Sequence, residues 1–215
     1  MKRNKYLFIA FVGFIVFIAL AGCAKREIKN IDSKGANIIC FGDSLTFGYG
    51  ASPGQDYPTK LAQLIYMPVI NAGVDGDTTP EALQRLKSDV LDKDQLLVII
   101  EFCGNDFLEK ILKDQTLNNI KEMAEKIQSK GAMVAIVDIS AGLFLREYRV
   151  AFKNLAREKQ AIFIPGILRG IITNPSMKSD FLHPNADGYK IIAQRIYSAI
   201  TPSLAKNTSL RESKK

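Results

Sequence analysis

A chain of 215 residues, 47% hydrophobic and 24% charged, is long enough for one domain with a full core and is globular in composition. The formal net charge is +7, but Lys2, Arg3 and Lys5 carry three of those charges and a further basic cluster (Lys206, Arg211, Lys214, Lys215) sits at the other end. The middle is only mildly basic and has no basic stripe interleaved with aromatics, which argues against a nucleic-acid partner. Three cysteines without a CxxC and a single histidine argue against a metal centre, and no cofactor motif is present.

The N-terminus has signal-peptide grammar. Lys2, Arg3 and Lys5 form a positive region, residues 6–21 are uncharged and mostly apolar, and the run is short for a spanning helix. Leu20-Ala21-Gly22-Cys23 resembles the lipobox of bacterial lipoproteins. That resemblance implies cleavage before Cys23, a diacylglycerol thioether on its sulfur and an acylated amine. Residues 1–22 are then a signal peptide, 23–35 the lipidated cysteine and a polar tether, 36–203 the domain, and 204–215 a flexible tail. The expectation is a domain in the cell envelope, outside the cytoplasm and held at a membrane. An uncleaved anchor helix is the alternative and gives the same placement.

The spacing predicts a first strand over 37–41, running into Gly42-Asp43-Ser44 and a glycine-rich loop, Gly48-Tyr49-Gly50 to Gly54. Pro53 occupies the place of the third glycine in a dinucleotide fingerprint, so that reading fails. Asp56 caps a helix to about Tyr66, and 69–72 is a short second strand. Thr79-Pro80-Glu81 reads as cap, proline and acid at the start of a helix to about Leu91. Residues 96–102 are apolar apart from Glu101, as in a strand covered on both faces. Leu117, Ile120, Met123, Ala124 and Ile127 form a helical stripe ended by Gly131. Next come a strand over 133–137, a helix over 146–159 and a strand over 161–164. Asn185 caps a last helix with Tyr189, Ile192, Ala193, Ile196 and Ile200 on one face. After Pro202 the chain is expected to fray.

Strand and helix alternate throughout. This predicts an α/β fold with a five-stranded parallel sheet between two helical layers and right-handed crossovers. Ligands in such sheets bind beyond the carboxyl ends of the strands. Ser44 follows the first strand, Gly73 the second and Asn105 the third; Asp180 and His183 lie in the long loop after the fifth. All therefore project from one edge.

A serine hydroxyl needs an adjacent base at neutral pH, and His183 is the chain's one histidine. Asp180, three residues earlier, is close enough to hold its tautomer, and Pro184 disfavours helix at His183. Negative charge that builds on a substrate oxygen has three candidate donors: the backbone N–H groups of Ser44 and Gly73 and the side-chain amide of Asn105. Cys40 and Cys103 lie at the ends of apolar runs, open to a disulfide if their strands are neighbours and otherwise buried as small apolar side chains.

These stretches resemble the GDSL, or SGNH, hydrolase family, especially its multifunctional esterase, thioesterase and lysophospholipase (arylesterase-like) branch. The match is carried by Phe41-Gly42-Asp43-Ser44-Leu45-Thr46 with Gly48-Tyr49-Gly50, Val69-Ile70-Asn71-Ala72-Gly73 with Gly76-Asp77-Thr78-Thr79, Gly104-Asn105-Asp106 and Asp180-Phe181-Leu182-His183-Pro184-Asn185, in the family's order. It implies a flavodoxin-like three-layer fold, with Ser44 as nucleophile, His183 as base, Asp180 as its orienter, and Ser44, Gly73 and Asn105 as the oxyanion hole. One position departs: the family usually has glycine two residues before the asparagine, and here it is Cys103. A cysteine there is strained if the backbone needs positive φ; otherwise its side chain narrows the pocket or presents a thiol beside Asn105. The expectation is that Cys103 tunes acyl-chain specificity without abolishing activity. Phe107, Leu108, Ile111, Leu112, Leu143, Phe144 and Leu145 are candidates to line an acyl groove. The expected activity is hydrolysis of acyl esters, lysophospholipids or thioesters. The alternatives are a carbohydrate O-deacetylase of the envelope and a non-catalytic ligand-binding lipoprotein.

Overall fold

The structure, a computed structural model, describes residues 27–142 and 145–214. Cys23, Leu143 and Phe144 lie outside the described residues. Five parallel strands form one sheet in the order β2-β1-β3-β4-β5. They are β1 Asn37–Gly42, β2 Val69–Gly73, β3 Gln95–Glu101, β4 Met133–Val137 and β5 Ile162–Ile164. The central strands β3 and β4 are buried at every position, which is why their sequences are continuous apolar runs and not alternating ones. β2, at an edge, is only half-buried.

Helix α1 is the single turn Ser44–Phe47; α2 is Tyr57–Ile65, α3 Thr79–Leu86, α4 Gly104–Leu108, α5 Lys113–Ser129, α6 Arg146–Glu158 and α7 Ala186–Glu212. α2 and α7 pack together on one face of the sheet, and α3, α5 and α6 lie side by side on the other. The expected three-layer α/β/α architecture is therefore observed. The stripe on α7 (Tyr189, Ile192, Ala193, Ile196, Ile200) is fully buried, and the Asn185 side chain caps the helix by accepting from the N–H groups of Asp187 and Gly188. No helix among the described residues is long and apolar enough to cross a membrane.

Three expectations need correction. The cap of α3 is Thr78, not Thr79: Glu81 accepts from both the N–H and the hydroxyl of Thr78, which frees Thr79 for a buried contact with Asp106. Residues 204–215 are not a flexible tail through 212, because α7 runs through Pro202 to Glu212. Nor are residues 27–35 a loose tether. They form a strap across the amino ends of the strands, and the end of α7 locks it. Lys29 N–H donates to Gln160 O (2.9 Å), and Asn30 Nδ2 donates to Gln128 O (2.8 Å) and Ala132 O (2.9 Å). The buried Asn207 amide donates to Ile31 O (2.8 Å) and Ser33 O (2.9 Å). Lys206–Glu27 and Lys214–Asp32 ion pairs and an Arg211 bond to Gly35 O complete the lock. All join residues at least 98 apart in the chain, which local composition does not reveal.

Candidate active site

At the carboxyl end of β1 the backbone must turn sharply. A Cβ on Gly42 would lie 2.1 Å from Thr46 Oγ1, so only glycine fits. Asp43 then caps α1, its Oδ1 accepting from Leu45 N–H at 3.0 Å. Ser44 is the first residue of that turn, where backbone N–H groups have no partner within the helix.

Ser44 Oγ is 3.1 Å from His183 Nε2, and His183 Nδ1 is 2.8 Å from Asp180 Oδ2. The other oxygen of Asp180 accepts from the backbone N–H groups of Leu182 (2.7 Å) and His183 (2.8 Å). Partial desolvation opposes ionisation of Asp180, but its bonds to the His183 backbone and imidazole and to Leu182 N–H outweigh it, so the carboxyl titrates below the usual range. The loop carrying the pair is pinned by Ser179 N–H to His183 O and by a bridge between Lys178 and Pro184. The ring of Tyr49 lies 4.5 Å from the imidazole, centroid to centroid, and its carbonyl accepts from the buried Tyr189 hydroxyl at 2.7 Å. The glycine-rich loop thus supports the histidine, a role its composition does not announce.

The three expected oxyanion donors sit on separate elements, Ser44 at the start of α1, Gly73 at the end of β2 and Asn105 in α4. Gly73 must be glycine, since a Cβ would lie 2.1 Å from Phe47 N. Its N–H is donated to Asn71 Oδ1 at 2.9 Å, so that amide is held by a local side chain. Asn105 gives one Nδ2 hydrogen to Asp77 O at 2.9 Å and keeps the second.

Arg85 ties these pieces together. Its guanidinium donates to Gly42 O (3.1 Å), Ala72 O (2.9 Å) and twice to Asp77 Oδ2 (2.6 and 2.8 Å), and stacks 4.4 Å over Phe41. One side chain therefore holds the ends of β1 and β2 and the turn that receives Asn105. Asp106, fully buried, anchors the same turn from below by accepting from Thr79 N–H, Thr79 Oγ1 and Thr116 Oγ1. In sequence Arg85 reads as an ordinary helix-surface residue; the only signal is the helix position next to the Gly76–Thr79 stretch.

Cys103 has φ +125°, the region that favours glycine, so the backbone there is strained. The residue is 1% exposed, so of the two expectations for this position the strained backbone is the one that holds. Burial pushes the thiol up, and both Cys40 and Cys103 are free, with no disulfide between them. Of the groove candidates, Phe107 and Leu108 in α4 and Leu112 before α5 are exposed, Ile111 is half-buried, and Leu145 packs into the core.

Beneath the nucleophile turn lies Glu101, fully buried. Its Oε2 accepts from Thr46 Oγ1 (2.8 Å), which is 2.9 Å from the Tyr57 hydroxyl. Its Oε1 has no donor among the described residues, and its neighbour is the Asp43 carboxyl. Burial pushes Asp43 up to about 6, and burial together with the charge of Asp43 holds Glu101 well above the carboxylate range. Each carboxyl, once ionised, therefore disfavours ionisation of the other. Among the described residues no group of histidine, cysteine and carboxylate side chains could hold a metal ion.

A model of the GDSL-like Lipase/Acylhydrolase family matches residues 40–191. Esterase TesA of Pseudomonas aeruginosa is 23% identical over 198 residues, covering 87% of this chain and 98% of that protein. Thioesterase 1/protease 1/lysophospholipase L1 of Escherichia coli K12 is 27% identical over 77% of this chain and 83% of that protein. The solved structure of AlinE4, an SGNH-hydrolase family esterase, is 30% identical, with a TM-score of 0.62 over 80% of this chain and 96% of that one. Lipoprotein YqeF of Bacillus subtilis, uncharacterised, is 32% identical over 101 residues, 43% of this chain and 38% of that protein.

Proposed function

Since the chain belongs to the GDSL-like lipase/acylhydrolase family and is a carboxylic ester hydrolase, we propose that it cleaves acyl esters through an acyl-serine intermediate on Ser44. The observation that carries this reading is the unbroken chain from Ser44 Oγ to His183 to Asp180. As Ser44 Oγ attacks the ester carbonyl carbon, His183 Nε2 takes its proton, and the imidazolium is stabilised by ionised Asp180. The carbonyl oxygen becomes an oxyanion. It meets Ser44 N–H, the free hydrogen of Asn105, and Gly73 N–H once the exposed Asn71 side chain releases it. Each such donor is worth about 3 kcal/mol in the transition state. Collapse breaks the ester C–O bond, and the leaving alcohol carries away the imidazolium proton. Water, activated by the same His183, then hydrolyses acyl-Ser44. A thioester takes the same course with a thiol leaving.

The substrates proposed are acyl esters, lysophospholipids or thioesters, supported by the names of the relatives above. The exposed apolar side chains of Phe107 and Leu108, in the same short helix as Asn105, favour an acyl chain over acetyl alone. The chain is further proposed to be a lipoprotein of the cell envelope, anchored through Cys23. That part rests on the lipobox-like residues 20–23 and on the lipoprotein relative.

The test is hydrolysis of p-nitrophenyl esters from acetyl to long-chain by the protein lacking residues 1–23, with Ser44→Ala beside it. Turnover with a medium or long-chain optimum, lost in Ser44→Ala, supports the reading. An acetyl-only profile would move the assignment to a deacetylase, and activity surviving in Ser44→Ala would overturn it.

A further inference from the structure

The strap of residues 27–36 fixes where the chain enters the domain. It bonds to Gln160, just before β5, to Ala132, just before β4, and to Asp94, just before β3. It therefore lies along the amino edge of the sheet. Ser44, Asn105 and His183 all lie at the carboxyl edge. β3 spans seven residues, so the two edges are about 23 Å apart at ~3.3 Å per residue.

Only Ala24, Lys25 and Arg26 separate Cys23 from Glu27. Four residue steps reach about 14 Å at full extension, which is less than the separation of the edges. Releasing residues 27–29 would cost the Lys29 bond to Gln160 and the Glu27–Lys206 pair, and any further release would cost the Asn30 and Asn207 bonds and the burial of Ile31. Lys25 and Arg26, next to the anchor point, suit a surface of anionic headgroups. Resting on the reading of a lipid-anchored esterase, we propose that the strap holds the domain with its amino edge on the anchoring membrane and its catalytic edge facing away. Its substrates are then esters that arrive from the aqueous space of the envelope, and not lipids of the membrane that carries it.

The chemistry requires the ester carbonyl within about 3–3.5 Å of Ser44 Oγ. A lipid of the anchoring bilayer would have to leave it entirely, chain exposed to water, to reach a serine held on the far edge. The same lipid dispersed in micelles meets no such barrier. A longer link between anchor and strap removes it, because a flexible insertion of 30 residues spans about 30 Å and lets the domain turn over.

The experiment uses the full lipidated chain in vesicles of phosphatidylethanolamine and phosphatidylglycerol. The comparison is a variant with a 30-residue Gly/Ser insertion between Arg26 and Glu27. Both forms are assayed on soluble p-nitrophenyl butyrate, on p-nitrophenyl palmitate in micelles, and on the palmitate ester embedded in the carrying vesicles. The proposal expects equal rates on the first two substrates and at least a tenfold faster rate for the insertion variant on the third. Equal rates of the two anchored forms on the embedded ester, both fast or both slow, overturn it. Failure of the underlying reading shows differently: no turnover of the soluble ester removes the esterase, and protein that does not float with the vesicles removes the anchor.

Discussion

Replacing Glu101 by glutamine should flatten the dependence of stability on pH. Glu101 is fully buried, forms no salt bridge among the described residues, and faces the Asp43 carboxyl. Two adjacent buried carboxylates without a cation cannot both ionise, so the native pair keeps a proton at neutral pH. A carboxyl whose native pKa lies above its unfolded value takes up a proton on folding. Its contribution is therefore full in acid and is lost as pH rises past the unfolded value. While Glu101 holds its proton, each pH unit above the ordinary carboxyl range costs about 1.4 kcal/mol of stability. Asp43, held at about 6, adds its own slope between roughly 4 and 6. Glutamine keeps the shape, presents a fixed N–H to Asp43 and still accepts from Thr46, but binds no proton. Urea denaturation at pH steps from 4.5 to 7.5 should give a Glu101→Gln variant that gains on the wild type by about 1.4 kcal/mol per unit or more, since the glutamine N–H also favours ionised Asp43 and lessens its slope. Parallel curves would refute the raised titration of Glu101 and mean that it is ionised in the native state.

Asn105→Ala should lower kcat by about 100- to 1,000-fold with little change in KM, because its free amide hydrogen meets charge that exists only in the transition state. Arg85→Ala should lose at least tenfold in kcat while Ser44 still reacts with a small phosphonylating reagent, since the guanidinium holds the oxyanion turns and not the triad; Arg85→Lys should recover only part, having no fork. A reactivity loss equal to the kcat loss would contradict that role. Asn207→Ala should cost about 2–3 kcal/mol, as it leaves two buried strap carbonyls without a donor. It should also expose the strap to protease, and an unchanged denaturation midpoint would show that the strap is not held there.

The chemistry of the site is legible in sequence because it sits on strand ends. Apolar runs locate the strands, and the residues just after each run project from a common edge. That logic brings Ser44, Asn105, Asp180 and His183 together from the sequence. It does not reach the supports. Arg85 lies on a helix surface in sequence, yet three carbonyl and carboxylate groups from different segments meet at its guanidinium. Glu101 reads as an exception in an apolar strand, because nothing local shows that its neighbour is Asp43. The strap and the C-terminal turns of α7 look polar and loose. They are ordered by partners such as Asn207 with Ile31, far apart in the chain. Pro202 argues for a stop by local rules, and tertiary contacts beyond it carry the helix on. Positive φ at Cys103 is one of two outcomes open to the sequence, and only the backbone decides it.

The most direct test of Ser44 as the nucleophile is the site of covalent capture. The protein lacking residues 1–23 is treated with a fluorophosphonate ester and the adduct located by peptide mass spectrometry. The expected result is one adduct per chain, on Ser44, formed in step with loss of esterase activity, absent in Ser44→Ala and at least 100-fold slower in His183→Ala. An adduct on any other residue, or esterase activity that survives full modification of Ser44, would contradict it.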